Sequence, residues 1–221
     1  MKLIFRSNFD LLFTLHPFLP LQNNIASDKD YGLHCNMSSL KNHILISMPH
    51  LQDPYFGQGI ILVCEHNNDG ALGLIINKPF EKPELKVLFQ KLLKDQDKII
   101  KIIPKVYFGG PVLIERGIVV HSSSYNSEDS MEISEEFSIT SSRKILQDIS
   151  DGSGPEQYKL MLGHAGWEAG QLEREIENGD WLMQSTSYNF VFNTDESKMW
   201  EIAAGSFGVE TSQISGLGGS A

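Results

Sequence analysis

The sequence predicts a single α+β domain, and three observations carry that reading. The densest apolar stretch, IILVCEHNNDGALGLIINKP over residues 60–79, holds two short aliphatic runs around a polar linker that ends in glycine. That is the pattern of a buried β-hairpin with cover on both faces. Strand-like segments outnumber segments with helical periodicity. Several neighbouring strands are also joined too tightly for the dozen-residue crossovers of a parallel sheet.

The 221 residues suit one domain with enough apolar content for a core. Net charge is −10 and unevenly spread. Residues 106–221 carry six Lys/Arg against eighteen Asp/Glu, a balance of −12. Such a surface repels phosphate backbones, which argues against direct DNA binding. Two cysteines, Cys35 and Cys64, make no disulfide framework and point to a reducing compartment. No run approaches the ~20 apolar residues of a membrane span.

In chain order, residues 1–36 read as a disordered or mis-assigned extension. Arg6, Asn8 and Asp10 interrupt any signal-peptide core, and Met37 opens a fresh start, MSSLKNHILISMP. The domain is therefore expected over 37–221. Residues 43–48 form a strand ended by Pro49, and 51–56 a turn. The hairpin pairs 60–64 with 71–76, with 65–70 as its turn. Residues 83–97 form a helix with Leu85, Leu88, Phe89, Leu92 and Leu93 on one stripe. Lys82, Lys86, Lys91, Lys94 and Lys98 make a basic cluster mostly off that stripe. Strands follow at 106–108 and 117–122, with Gly109-Gly110-Pro111 as a turn between them. One or two edge strands fall in 131–140. Ser141 or Ser142 caps a helix to about Ile149. Residues 157–162 read as a strand, 163–167 as a tight turn and 168–178 as a helix. Strands are expected at 180–183 and 188–192. Thr194 caps a last helix over 195–207, and a flexible Gly/Ser tail begins near Ser212.

Chemical constellations are sparse. The segment GHAGWE at 163–168 has the look of a glycine turn entering a helix, but it lacks both phosphate-loop patterns. Its Glu168 also sits where an anion would bind. Cys64, Glu65 and His66 stand together, with Cys64 and His66 on one side of a regular strand, yet no third group orients them. His66, His121 and His164 have no metal-ligand spacing, so no metal is expected. Ser122-Ser123-Ser124 follows His121 without a nucleophile elbow. No catalytic residue and no cofactor site is assigned.

The segments HILISMPHLQDPYFGQGIILVCEHNNDGALGLIINKP, YFGGPV, RGIVVH, GHAGWEAGQLEREI and WLMQ occur in this order. From about Leu40 to Val209 the chain resembles the AlgH/YqgE family of bacterial proteins. The resemblance implies one α+β domain whose bifurcated β-sheet curls into a pseudo-barrel with helices packed outside. It implies no catalytic residues; family members are often labelled transcriptional regulators. His164 stands where the family pattern carries an aromatic residue such as Tyr, and the terminal Gly-His-Ala is replaced by GLGGSA. The resulting expectation is a cytoplasmic regulatory or adaptor protein that contacts a protein partner through Lys82, Lys86, Lys91, Lys94 and Lys98. The alternative is a small-ligand binder or enzyme with a pocket beside the 65–70 and 163–167 turns. That pocket would draw on His66, Asn67, Asn77, Lys78, His164 and Trp167.

Overall fold

The computed structural model describes residues 39–81 and 105–209. The Lys82–Lys98 cluster, the 83–97 helix, the N-terminal extension and the tail from 212 lie outside these residues. Among the described residues, nine strands form one sheet: β1 (His43–Ser47), β2 (Ile60–Asn67), β3 (Gly70–Ile75), β4 (Val106–Phe108), β5 (Val112–Ser122), β6 (Ser130–Glu132), β7 (Phe137–Thr140), β8 (Tyr158–Glu168) and β9 (Trp181–Ser185). They run in the order β6-β7-β5-β8-β3-β2-β1-β9, with β4 pairing to β8 from outside that path. The helices among the described residues are α1 (Arg143–Ser150), α2 (Gln171–Glu177), α3 (Tyr188–Asn193) and α4 (Glu196–Gly205).

The sheet curls into a half-barrel, and alternation along its strands separates three apolar layers. The concave layer takes Ile44, Ile60, Leu74, Ile118, Ile139 and Met161, closed over by Val191, Met199, Trp200 and Ala203 of α3 and α4. One outer layer packs Val119, Leu160 and Leu162 under Ile145 of α1. The other packs Ile61, Val63, Ile75 and Trp167 under Leu172 of α2. Helices outside the curl thus describes α1 and α2, whereas α3 and α4 fill the concave side. The Trp200 indole N–H donates to the Ser47 carbonyl at 2.8 Å and fixes α4 to β1.

The bifurcation is made at β8. Its first half pairs with β5 and, in parallel, with β4, while its second half pairs with β3. β4 enters the fork, where the Ile75 N–H donates to the Gly109 carbonyl and the Gly109 N–H to the Leu162 carbonyl.

Several local expectations are corrected. Residues 163–167 are strand, not a turn, because Gly163 at φ +71° forms a bulge that β5 and β3 hold from either side. The helix expected from 168 starts only at Gln171. Residues 188–192 are helical rather than extended. The Ser187 hydroxyl accepts the Phe190 N–H, and burial of Val191 with part of Phe190 and Phe192 outweighs strand preferences worth ~1 kcal/mol. Asp195, not Thr194, caps the last helix, accepting the Ser197 N–H at 2.9 Å. The hairpin strands run on to Asn67 and from Gly70, so only Asn68 and Asp69 turn between them. β5 likewise starts five residues early, with a wide irregularity between Val112 and Gly117.

Candidate functional site

Gly163 does more than bend β8. Before it, Leu160 and Leu162 face outward while Met161 faces the concave core. After it, Ala165 and Trp167 face outward. One extra residue has shifted the alternation, which turns His164 and Gly166 to the inner face. Backbone packing fixes this arrangement. A Cβ on Gly163 would stand 2.3 Å from the Gly110 carbonyl oxygen, and one on Gly110 would stand 2.2 Å from the His164 carbonyl carbon. On β5, Ile118 lies in the concave core and Ile114 in an outer layer, with Arg116 in the irregular stretch between Val112 and Gly117. The Arg116 guanidinium donates to the Ser141 hydroxyl at 3.5 Å.

The Arg116 charge is near enough to act on His164, which the shifted phase of β8 turns to the inner face. The His164 Nδ1 is buried without a hydrogen-bond partner among the described residues. Burial first, then the nearby Arg116 charge, lowers its imidazole to about 4, so the ring is neutral at physiological pH. Two residues along the same face, a Cβ on Gly166 would meet nothing within 4 Å. Val112, paired with His164, and Leu113 are exposed beside it. The result is a mouth open at Gly166 with an apolar lip, while the unsatisfied His164 Nδ1 is closed off from solvent.

The other expected pocket residues lie elsewhere. His66 is on the outer face. Its Nδ1 accepts the Leu40 N–H at 3.1 Å, which leaves the proton on Nε2 to be donated to Glu173 at 3.0 Å. Trp167 is outside as well. Its indole and that of Trp181 both donate to Glu175 Oε2, at 2.8 and 3.0 Å. Asn67 closes the hairpin by accepting the Asp69 N–H. Asn77 and Lys78 lie beyond the opposite end of β3, about 20 Å from that turn. There Asn77 clamps Gln58 and Ile60, and the Lys78 ammonium donates to the Tyr55 carbonyl at 2.8 Å. Burial lowers the Lys78 pKa, against the nearby Asp53 charge. Of the six, the structure leaves His164 alone at the mouth.

The Cys64–His66 pairing is also corrected. A register shift between Val63 and Glu65 places Cys64 in the concave core while His66 stays outside. Burial pushes the Cys64 thiol well above its ordinary value. His121 is fully buried, with Nδ1 at the Ser122 carbonyl and Nε2 at the Thr140 hydroxyl. The three histidines thus occupy three separate environments, and no group of three His, Cys, Asp or Glu residues among the described residues is arranged to hold a metal.

Sequence reasoning missed a second polar cluster. Lys159, 5% exposed, faces the barrel interior from β8. Its ammonium donates to Glu196 at 3.3 Å and to the Ile76 carbonyl at 3.3 Å, and lies 4.6 Å from the centre of the Tyr107 ring. Glu196 also accepts from the Tyr107 hydroxyl at 2.5 Å and from Lys105 at 3.0 Å. Burial alone raises the Glu196 carboxyl. The bonds from Tyr107, Lys105 and its own backbone, with the Lys159 charge, outweigh that and bring it down to about 2. This cluster locks the start of α4 to β4 and β8. Its signal in the sequence is the lone lysine in the apolar run YKLML.

No helix among the described residues is long and apolar enough to cross a membrane. The AlgH-like family model matches residues 44–212. A UPF0301 protein of Burkholderia thailandensis is 43% identical over 188 residues, covering 83% of this chain and 96% of that one. The solution structure of AlgH from Pseudomonas aeruginosa superposes with a TM-score of 0.64 at 35% identity, over 88% of this chain and all of that one. A crystal structure of a Corynebacterium diphtheriae protein, 19% identical with a TM-score of 0.59 over 76% of this chain and 86% of that one, shares the fold. On the extent of the family match and the identity to these relatives, the chain belongs to the AlgH-like family.

Proposed function

We propose that this protein is a binding protein, which takes a small molecule at the half-barrel mouth and acts through contact rather than catalysis. The observation that carries the reading is the buried, unpartnered His164 Nδ1, two residues from the uncrowded Gly166 on the same face. Buried polar atoms are almost always satisfied, so an unsatisfied one is where a ligand that reaches it gains most. The chemical groups named from sequence favour binding over reaction, since Cys64 is buried and His66 and His121 are committed to internal bonds.

Thermal unfolding against a panel of nucleotides, organic acids, sugars and amines tests the reading. A ligand at about 100 Kd adds about 2.7 kcal/mol. At least one class is expected to stabilise the wild type and to lose that effect in His164→Phe. A flat response across the panel contradicts the proposal.

Regulation through a protein partner is the second reading. It is supported by the acidic balance of residues 106–221 and the Lys82, Lys86, Lys91, Lys94 and Lys98 cluster, which would meet an acidic partner. Reversing Lys86, Lys91 and Lys94 to Glu is expected to abolish partner capture with unfolding temperature preserved. Unchanged capture rejects that surface.

A further inference from the structure

We propose that His66 is a protonation-sensitive pin: its neutral ring clasps residues 39–41, which lead into β1, to the end of β2, and protonation of the ring opens the clasp. The device lies on the outer face, away from His164, and stands independently of the ligand-binding reading.

The clasp hangs on one residue. The Ser39 hydroxyl donates to the His66 carbonyl at 3.1 Å, and the Leu40 N–H donates to the ring Nδ1 at 3.1 Å. The other bonds of the stretch among the described residues are local, from Lys41 to Ser39 and from His43 to Leu40 and Lys41. The sheet takes hold only at Asn42, whose N–H donates to the Val63 carbonyl at 3.0 Å. Leu40, 3% exposed, is thereby seated in the outer layer with Trp167 and Leu172.

Only the neutral ring with its proton on Nε2 makes both of its bonds, accepting from Leu40 at Nδ1 and donating to Glu173 at 3.0 Å. A second proton must go to Nδ1, where it points at the Leu40 N–H, donor against donor. A doubly protonated imidazole has no acceptor to offer in any orientation. The same proton turns the Glu173 bond into an ion pair, where the His66 side chain is 6% exposed. Protonation therefore strengthens the hold of α2 on the ring while it cancels the hold of the ring on Leu40. His43 provides the contrast. Its Nδ1 faces the Lys41 carbonyl, an acceptor, so that bond survives protonation. The other charged groups on the surrounding elements are Lys41 in the clasp, Glu65 on β2, Asp69 in the hairpin turn, Glu168 on β8, and Arg174 and Glu177 on α2. Among the described residues Glu173 is the one that forms an ion pair with the ring, and Glu65 is held by the Asn67 amide. β3 presents Ala71 opposite His66 and adds no charge.

Histidine-ring NMR and amide hydrogen exchange of the full chain between about pH 8 and pH 5, the range in which imidazoles ordinarily titrate, test this. At the upper end the His66 ring is expected to carry its proton on Nε2 alone. As Nδ1 gains a proton, Leu40 protection, taken relative to the free-chain exchange rate at each pH, is expected to fall about tenfold or more. The Asn42 amide, bonded to Val63, is expected to keep its protection. His66→Asn retains an acceptor near the place of Nδ1 and does not titrate, so its Leu40 protection is expected to be the same at both ends of the range. Glu173→Gln retains an acceptor for Nε2 without the counter-charge, and is expected to move the opening to lower pH. Backbone spectra report that the variants are folded, and Glu173→Gln carries the comparison if His66→Asn does not fold. A ring protonated on Nδ1 at the upper end, a ring that takes no second proton within the range, or Leu40 protection that stays constant while the ring titrates overturns the proposal. So does an equal loss in His66→Asn, or an opening in Glu173→Gln at the same pH as in the wild type.

Discussion

Replacing Glu196 with alanine is expected to cost about 3–5 kcal/mol of stability, among the largest effects of any single change. The variant leaves the Lys159 ammonium, 5% exposed, with the Ile76 carbonyl and the face of the Tyr107 ring but no counter-ion within the cluster, and frees the Tyr107 hydroxyl from its acceptor. A buried charge without its counter-ion is what makes such losses large. The double change Lys159→Met with Glu196→Leu is expected to lie within about 1 kcal/mol of wild type, because it removes charge and counter-charge together. pH dependence has a definite sign. The Glu196 carboxyl sits at about 2 in the folded chain against an ordinary value of 4.5. Its contribution is full above the ordinary value and fades as pH falls through about 2. Wild type should therefore lose stability between neutral pH and pH 3 more steeply than the double variant. Urea midpoints at several pH values measure both effects; a loss below about 1 kcal/mol in Glu196→Ala contradicts the locking role.

Gly163→Ala is expected to destabilise by about 3 kcal/mol or more. It forces a side chain into the left-handed region, itself costing about 1–2 kcal/mol, and drives Cβ to 2.3 Å from the Gly110 carbonyl oxygen. Neither obstacle is a flexible side chain, so relief requires separating β8 from the Gly109–Gly110 backbone. That would also disturb the inward setting of His164, so any ligand stabilisation is expected to weaken in Gly163→Ala even when measured well below its own midpoint. Gly166→Ala is the control, since its Cβ meets nothing within 4 Å. Calorimetric unfolding of the two variants gives the comparison. Equal midpoints would mean that the fork at β8 is not held by backbone packing.

The hairpin, the α1 cap at Ser142 and most strand positions were legible because each is written locally. Aliphatic runs, Asn-Asp turn chemistry and a hydroxyl before a helix need no distant partner. The inner-face site was not legible, because it depends on phase. GHAGWE reads naturally as a glycine turn, and only the flanking strands β5 and β3 convert Gly163 into a bulge. A turn would bring His164 and Trp167 to one pocket; with a bulge, they face opposite sides of the sheet. The bulge at Cys64 separated Cys64 from His66 in the same way. Residues 188–192 misled for a different reason: a short apolar aromatic run has no period long enough to distinguish helix from strand, and the concave core decided it. Arg116 and Lys159 carry no motif. Their meaning comes from Ser141, His164 and Glu196, which the fold supplies from distant points in the chain.

The most direct test of the binding account is native mass spectrometry of the protein purified gently from its own host, beside His164→Phe prepared identically. The account predicts a retained small-molecule mass on the wild type that is absent from the variant. A bare chain in both, or the same added mass in both, would contradict the assignment of the half-barrel mouth as the binding site.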